Sequence, residues 1–423
     1  LDLARSEHGM KPAGDEGSSA LWNRSPVDHK SGWRLLVGRT TLGAVVLCAV
    51  ALGGVGVSAA GAVATGQANP PVSSSSQSGA PDVPPVSGAM PGSGAFNAVD
   101  CTKPGTCVAV GANAQSQASV STTKSGGSWT KETVPNDARI LHAVSCSSPA
   151  RCVAVGQGVI LSSKTGGGQW QLHRPPADTT LLGDTCTAAS NCLAVGIQPD
   201  RSGPFAGVIL RSTDGGESWK WATVPSNAPE VGAVACPTAT RCIAVGATVL
   251  TSDDGGATWQ PRGVTGGVVD LESIACSTAS HCVAVGPNPR GLSHATAPAL
   301  AIETNDGGNT WQPETFPAGT ATADQVTCPS SAQCFVSGPA ITVAAGPTFE
   351  ASADGGHSWT KAQPPHGLSE ITDISGPATN SCSLIGRSGK QSATAKGSDV
   401  GAGTPADTES PKANWSTASV SAT

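Results

Sequence analysis

VGAVACPTATRCIAVGATVLTSDDGGATWQPR, running from Val231 to Arg262, decides the fold. Two short apolar runs, VGAVA and IAVG, meet at Cys236 and Cys242. A third run, TVLTS, leads into a DGG turn and then Trp259. Runs this short, bounded by glycine turns, read as strands, and the three-and-four apolar spacing of helices is absent. The same pattern returns along most of the chain. Its leading cysteines are Cys101, Cys146, Cys186, Cys236, Cys276 and Cys328, at gaps of 45, 40, 50, 40 and 52 residues. Each has a partner six positions on: Cys107, Cys152, Cys192, Cys242, Cys282 and Cys334.

A unit of about 45 residues with four short apolar segments is the size of one propeller blade. Each unit supplies strand A (HAVSC), strand B (CVAVG), strand C (VILSS) and a strand D beginning at Trp. The blades must close into a ring, because an open array leaves a sheet edge bare. Six units are clear. A worn seventh starts near Leu368, with Gly376 in the first Cys place and Cys382 in the second, and Trp415 reads as the remnant of its last strand. The expected fold is an all-β propeller of seven four-stranded blades. Six blades followed by a tail is the alternative.

The C-x5-C pairs suit the A–B hairpin, where a disulfide would clip adjoining strand ends. Closing so short a loop stabilises by about 2 kcal/mol on the chain-entropy model. Zinc sites gather four ligands, whereas these pairs sit one to a blade. Six disulfides are therefore expected, which implies an oxidising compartment. Cys48 and Cys382 are left over, and Cys382 reads as a free thiol.

A second motif lies between strands C and D: STDGGESW, SDDGGATW, TNDGGNTW and SADGGHSW, beginning at Ser212, Thr251's neighbour Ser252, Glu303's neighbour Thr304 and Ala351's neighbour Ser352. Asp214, Asp254, Asp306 and Asp354 can accept backbone N–H bonds within the turn. Gly216, Gly256, Gly308 and Gly356 can take positive φ. Trp219, Trp259, Trp311 and Trp359 are then placed to pack between blades. Turn staples, rather than catalytic carboxylates, are the expected role of these aspartates. Earlier copies, TTKSGGSW and SKTGGGQW, are worn.

These units resemble BNR (bacterial neuraminidase, Asp-box) repeats, and most of all those of the photosystem II stability/assembly-factor-like propellers. The resemblance covers about Phe96 to Pro365. It implies a propeller with the Asp-boxes on its periphery and does not imply photosynthesis. The hairpin cysteines are a departure from it.

Ahead of the repeats, residues 1–40 are polar and aperiodic and read as a disordered cytoplasmic segment. Residues 41–64, TLGAVVLCAVALGGVGVSAAGAVA, are long and apolar enough to span a bilayer. Lys30, Arg34 and Arg39 precede them, so the positive-inside rule puts everything after the span outside. A retained anchor and a cleaved signal peptide are the two readings, the latter because Ala62-Val63-Ala64 resembles a signal-peptidase site. Residues 65–95 are a Pro/Ser/Gly-rich linker. Residues 96–388 are the propeller, and 389–423 a degenerate last blade or a disordered tail.

The functional reading is narrower. Net charge is −6, with few charged residues against a nucleic-acid binder's basic excess. Tyr is absent, so a sialidase mechanism with a Tyr nucleophile cannot operate. Candidate acids outside the turns are Asp100, Asp137, Asp200, Glu230, Asp270 and Glu272, none of them in a motif. His142, His173, His281, His294, His357 and His366 show no ligand spacing, and no cofactor or metal is implied. The B–C connections differ most between units. They are long in unit three (IQPDRSGPFAG, from Ile197) and unit five (PNPRGLSHATAPA, from Pro287). Loops on a rigid scaffold commonly carry recognition. Asp200, Arg201, Phe205, Arg290 and His294 are accordingly the candidate binding residues. The expected function is a membrane-anchored or secreted propeller that binds an unknown protein or cell-surface ligand. A two-carboxylate glycoside hydrolase is the alternative.

Overall fold

The computed structural model describes residues 94–387 apart from 127, 176–178, 188–189, 200–204, 226–227, 266–269, 288–298, 321, 340–345, 363, 365–369 and 379–380. It also describes the strands Ala44–Ala49, Thr394–Val400 and Ala413–Ala418. The described residues are all β, without a helix.

Six antiparallel sheets of four strands follow in chain order, each in the order A-B-C-D. Blade one is Gly94–Lys103, Thr106–Asn113, Ala118–Thr123 and Thr130–Lys131. Blade two is Leu141–Cys146, Cys152–Gly156, Val159–Ser163 and Gln171–His173. Blade three is Thr180–Cys186, Cys192–Pro199, Phe205–Ser212 and Lys220–Trp221. Blade four is Val231–Ala235, Cys242–Gly246, Val249–Ser252 and Gln260–Arg262. Blade five is Ser273–Cys276, Cys282–Gly286, Leu300–Thr304 and Gln312–Glu314. Blade six is Gln325–Thr327, Cys334–Gly338, Thr348–Ser352 and Thr360–Lys361.

Strands B and C are buried on both faces, as CVAVG and VILSS show residue by residue, because each blade is sandwiched between two others. The apolar clusters lie between blades. Leu193 and Ile209 of blade three meet Val231, Leu250 and Trp259 of blade four. Ile243 and Val249 of blade four meet Leu271, Ile302 and Trp311 of blade five. Phe335 and Phe349 of blade six meet Ile371, Ile374 and Leu384, and Ile385 meets Phe96 and Trp129 of blade one. The hairpin Glu370–Ala378 and Ser381–Arg387 thus packs between blade six and blade one. It belongs to a sheet in which Ala44–Ala49 lies third, followed by Thr394–Val400 and Ala413–Ala418.

That placement differs from the helical span expected of 41–64. Ala44–Ala49 is a strand, antiparallel to Ser381–Arg387 and parallel to Thr394–Val400. AVVLCA is apolar and β-branched enough for a central strand, where both neighbours satisfy its backbone. The rest of 41–64, all of 1–40 and nearly all of the linker lie outside the described residues. No described helix is long and apolar enough to cross a membrane. Cys48 and Cys382 stand opposite each other in the strand register.

Neighbouring A strands share no ladder, and short polar side chains link them instead. Asp100 Oδ2 accepts the Cys146 N–H at 2.6 Å, and Ser145 Oγ accepts that of Cys186 at 2.9 Å. Ser273 Oγ accepts the Val326 N–H at 3.1 Å. Asp373 Oδ2 accepts the Val99 N–H at 2.8 Å, and Ser375 Oγ that of Cys101 at 3.0 Å. Each link satisfies an inward backbone donor that would otherwise be orphaned.

Candidate functional site

On one face of the ring, each A–B hairpin is closed by a disulfide. These are Cys101–Cys107, Cys146–Cys152, Cys186–Cys192, Cys236–Cys242, Cys276–Cys282 and Cys328–Cys334. The DGG turns sit beside them: the Gly255 N–H donates to Thr240 O and the Gly307 N–H to Ser280 O, both 2.8 Å. Within the turn of blade four, Asp254 Oδ1 accepts the N–H groups of Ala257 and Thr258, each at 2.9 Å. Its Oδ2 accepts the Thr258 hydroxyl at 2.6 Å. Trp259 Nε1 donates to Gly256 O at 3.0 Å, so the turn also orients the indole. Asp214 and Asp306 are held alike. Burial pushes these carboxyls up, but the hydrogen bonds outweigh it and hold all three at about 2. Asp354 is likewise lowered. Carboxylates so saturated with donors are turn staples and poor proton carriers.

The opposite face carries the B–C turns and the starts of the A strands. Glu230 O accepts the Ala247 N–H at 3.1 Å, which fixes Glu230 beside the B–C turn of its own blade. Asp270 O packs on Gly286, the end of strand B of blade five, where an added Cβ would lie 2.0 Å away. Glu272 and Asp324 immediately precede the A strands of blades five and six, Ser273–Cys276 and Gln325–Thr327. Burial, then the charges of Asp324, Asp270 and Glu230, raises Glu272 to about 8. Burial, then the charge of Glu370, raises Asp324 to about 7. Carboxyl groups at the starts of successive A strands thus act on Glu272 and Asp324 at this mouth, and Glu370 among them also pairs with Arg387 at 3.5 Å.

The other candidate acids do different work. Asp100 is a blade-to-blade link, raised by burial. Asp137 is an exposed partner of Arg174 at 3.7 Å. Asp184, on strand A of blade three, is also raised, first by burial and then by the charge of Asp100. Asp373, at the ring's closing link, is raised by burial to about 7.

Of the candidate binding residues, Asp200, Arg201, Arg290 and His294 lie outside the described residues. Phe205 begins strand C of blade three, paired with Pro199. Part of the long unit-three connection is therefore ladder: Ile197↔Gly207, Gln198↔Ala206 and Pro199↔Phe205 extend the hairpin beyond the blade. In unit four the strands turn at once, with Val245 opposite Val249.

Three further residues meet where blades five and six join, on the disulfide face. His281 Nε2 lies 3.1 Å and His357 Nδ1 2.8 Å from Glu303 Oε2. The two rings are 4.4 Å apart. Glu314 also hydrogen-bonds Glu303, and its carboxyl is pushed up by burial and then by that charge. No ligand spacing in the sequence marked these histidines. The signal available was that all three depart from their counterparts in the other repeats.

The ring of antiparallel four-stranded blades defines a β-propeller. No family model matches the chain, and no curated protein matches it. Solved structures do. The chain is similar to YCF48 bound to a D1 peptide, at 15% identity over 71% of this chain and 95% of that one, with a TM-score of 0.52. It is similar to the GH74 enzyme of Niastella koreensis, at 15% identity and a TM-score of 0.53, over 71% of this chain but only 52% of the enzyme. It is also similar to virginiamycin B lyase from Staphylococcus aureus, at 10% identity over 69% of this chain and 94% of that one, with a TM-score of 0.51. At these identities the likeness is one of fold alone.

Proposed function

We propose that this chain is a non-enzymatic scaffold outside the cytoplasm, holding a protein or cell-surface ligand by a cationic segment at the acidic mouth. The observation that carries this reading is that Glu230, Asp270 and Asp324 lie near enough to raise Glu272, as Glu370 does Asp324, at the starts of successive A strands. The unit-three B–C hairpin, which the Pro199↔Phe205 pair extends, leaves from the face of these strand starts, and the connections of units three and five, with Asp200, Arg201, Phe205, Arg290 and His294, remain our candidates for recognition. Near neutrality Glu272 holds its proton and Asp324 does so in part, and a docked cation would favour their ionised forms. We take the sheet holding Glu370–Arg387 as a seventh blade, and the repeats as Asp-box repeats.

The test uses the exported protein as bait against extracts of its own cell surface. The parent should capture a partner that high salt releases. Both E230Q/D270N/E272Q and a variant with the unit-three and unit-five loops cut to the unit-four turn should lose it. Retention of the same partner by both variants would overturn the reading.

The six disulfides support an oxidising compartment. Our reading of 41–64 as an anchor rests on its length, its apolarity and the preceding Lys30, Arg34 and Arg39. Its use as an anchor and the strand at Ala44–Ala49 are mutually exclusive states of the same residues. Exchanging those three cations for acids should disturb export if the anchor reading holds. Unchanged protease accessibility at the cell surface would remove it.

One observation favours a glycosidase instead. Glu272, protonated near neutrality, stands among ionisable carboxyls as a general acid beside a base would. Against it, Trp221 is the large apolar side chain left exposed among the described residues, and it lies on an outer strand. Release of reducing ends from glucan oligosaccharides by the parent but not by E272Q would replace the scaffold reading.

A further inference from the structure

We propose that His281, Glu303 and His357 form a binding site for a divalent transition-metal ion, Zn2+ first, pinning blade five to blade six. Their ligand atoms all lie within 4.8 Å of one another. A tetrahedral ion with bonds of about 2.0–2.1 Å sets its ligands roughly 3.3 Å apart. The His281–Glu303 and His357–Glu303 separations, 3.1 and 2.8 Å, both fall somewhat short of that spacing, so the ion would spread the donors slightly. His357, 48% exposed, has room to make that adjustment.

The surroundings prepare the donors. His281 Nδ1 lies 2.7 Å from Ser277 Oγ, so an Nδ1–H donated there leaves the Nε2 lone pair facing Glu303. A ligating histidine fixed through its other nitrogen is the usual arrangement around metals. Asn305 Nδ2 donates to Glu303 Oε1 at 3.2 Å, which turns Oε2 toward both rings. His281 and Glu303 are nearly buried, with side chains 8% and 11% exposed, while His357 opens the site to solvent. Two imidazoles and one carboxylate suit zinc and its neighbours, whereas magnesium and calcium prefer all-oxygen sets.

The same junction one blade earlier shows what the repeat does without an ion. There Arg241 occupies the place of His281 and donates to Gly307 O at 2.6 Å, Asp253 at 2.6 Å and Asn309 at 2.8 Å. Thr251 stands in the place of Glu303, and Asn309 in that of His357. Between blades five and six all three positions change together, and the cation of the arginine is replaced by donors that can hold one.

The test is zinc and cobalt titration of untagged, disulfide-intact protein first stripped with a chelator. The parent should bind one equivalent of Zn2+ by calorimetry and develop visible cobalt absorption. H357A, altered at the exposed ligand, should weaken binding by at least about tenfold and abolish the cobalt band. H281A and E303Q should do the same, with circular dichroism confirming the fold. H173A, outside the site, should bind as the parent does. Zinc should raise the parent's melting temperature and not that of H357A. Failure of the parent to take up stoichiometric zinc, or H357A binding as tightly as the parent, would overturn the site. Neither result bears on the acidic mouth, which lies on the opposite face.

Discussion

Asp254 shows what one side chain contributes. Its carboxylate collects two backbone N–H groups and a hydroxyl within five residues and sits at about 2. A depressed carboxyl stabilises the fold above its unfolded value, near 3.9, and that contribution is lost as pH falls through about 2. Asp254→Asn should therefore lower stability by about 1 kcal/mol at pH 7, discounted for exposure, with the difference vanishing in acid. Urea unfolding at the two pH values measures it. Gly256 carries a second constraint. At φ +87°, an added Cβ would stand 2.4 Å from Leu193 Cδ2 of blade three. Gly256→Ala should cost about 1–3 kcal/mol, since backbone conformation and contact oppose it together.

At the scale of the hairpin, each disulfide joins a buried partner cysteine on strand B to the end of strand A. The chain-entropy cost removed by so short a loop is about 2 kcal/mol. Cys276→Ser with Cys282→Ser should lower stability by about that amount and leave the blade in place. The Gly307 N–H bond to Ser280 O still ties that hairpin to its DGG turn. Thermal melts of the double variant, compared with reduced parent, check this. The reduced parent should fall further, because all six clips open at once. A double variant as unstable as the reduced parent would mean that one clip governs the ring.

At the scale of the whole ring, the acidic mouth opposes folding at alkaline pH. Glu272, at about 8 against an ordinary 4.5, holds its proton longer in the folded state than in the unfolded one. Asp324 and Asp373, both at about 7, act the same way. Their favourable contribution is complete below the unfolded values and is eroded as pH rises, until it is gone above the folded ones. The melting temperature should therefore decline from about pH 5 to about pH 8.5. Glu272→Gln should match the parent at the lower pH and exceed it at the higher. A flat parent profile would mean that burial does not hold these carboxyls protonated.

The sequence by itself determined the strands, the six cysteine pairs and the DGG turns. Each is a local matter: Cys236 and Cys242 lie six residues apart, and Asp254 meets Thr258 within one turn. Repetition then implied a ring, because such blades bury their faces only against each other. The tertiary structure alone decided what the ring brings together. Glu272 and Asp324 belong to different blades, and no local pattern encodes that they act on each other. His281 and Glu303 are 22 residues apart, and His357 arrives from the next blade. The strand at Ala44–Ala49 was likewise illegible, since an apolar run serves a bilayer or a sheet interior equally well. Which one it serves depends on whether neighbouring strands pair its backbone, and that is a property of the folded ring.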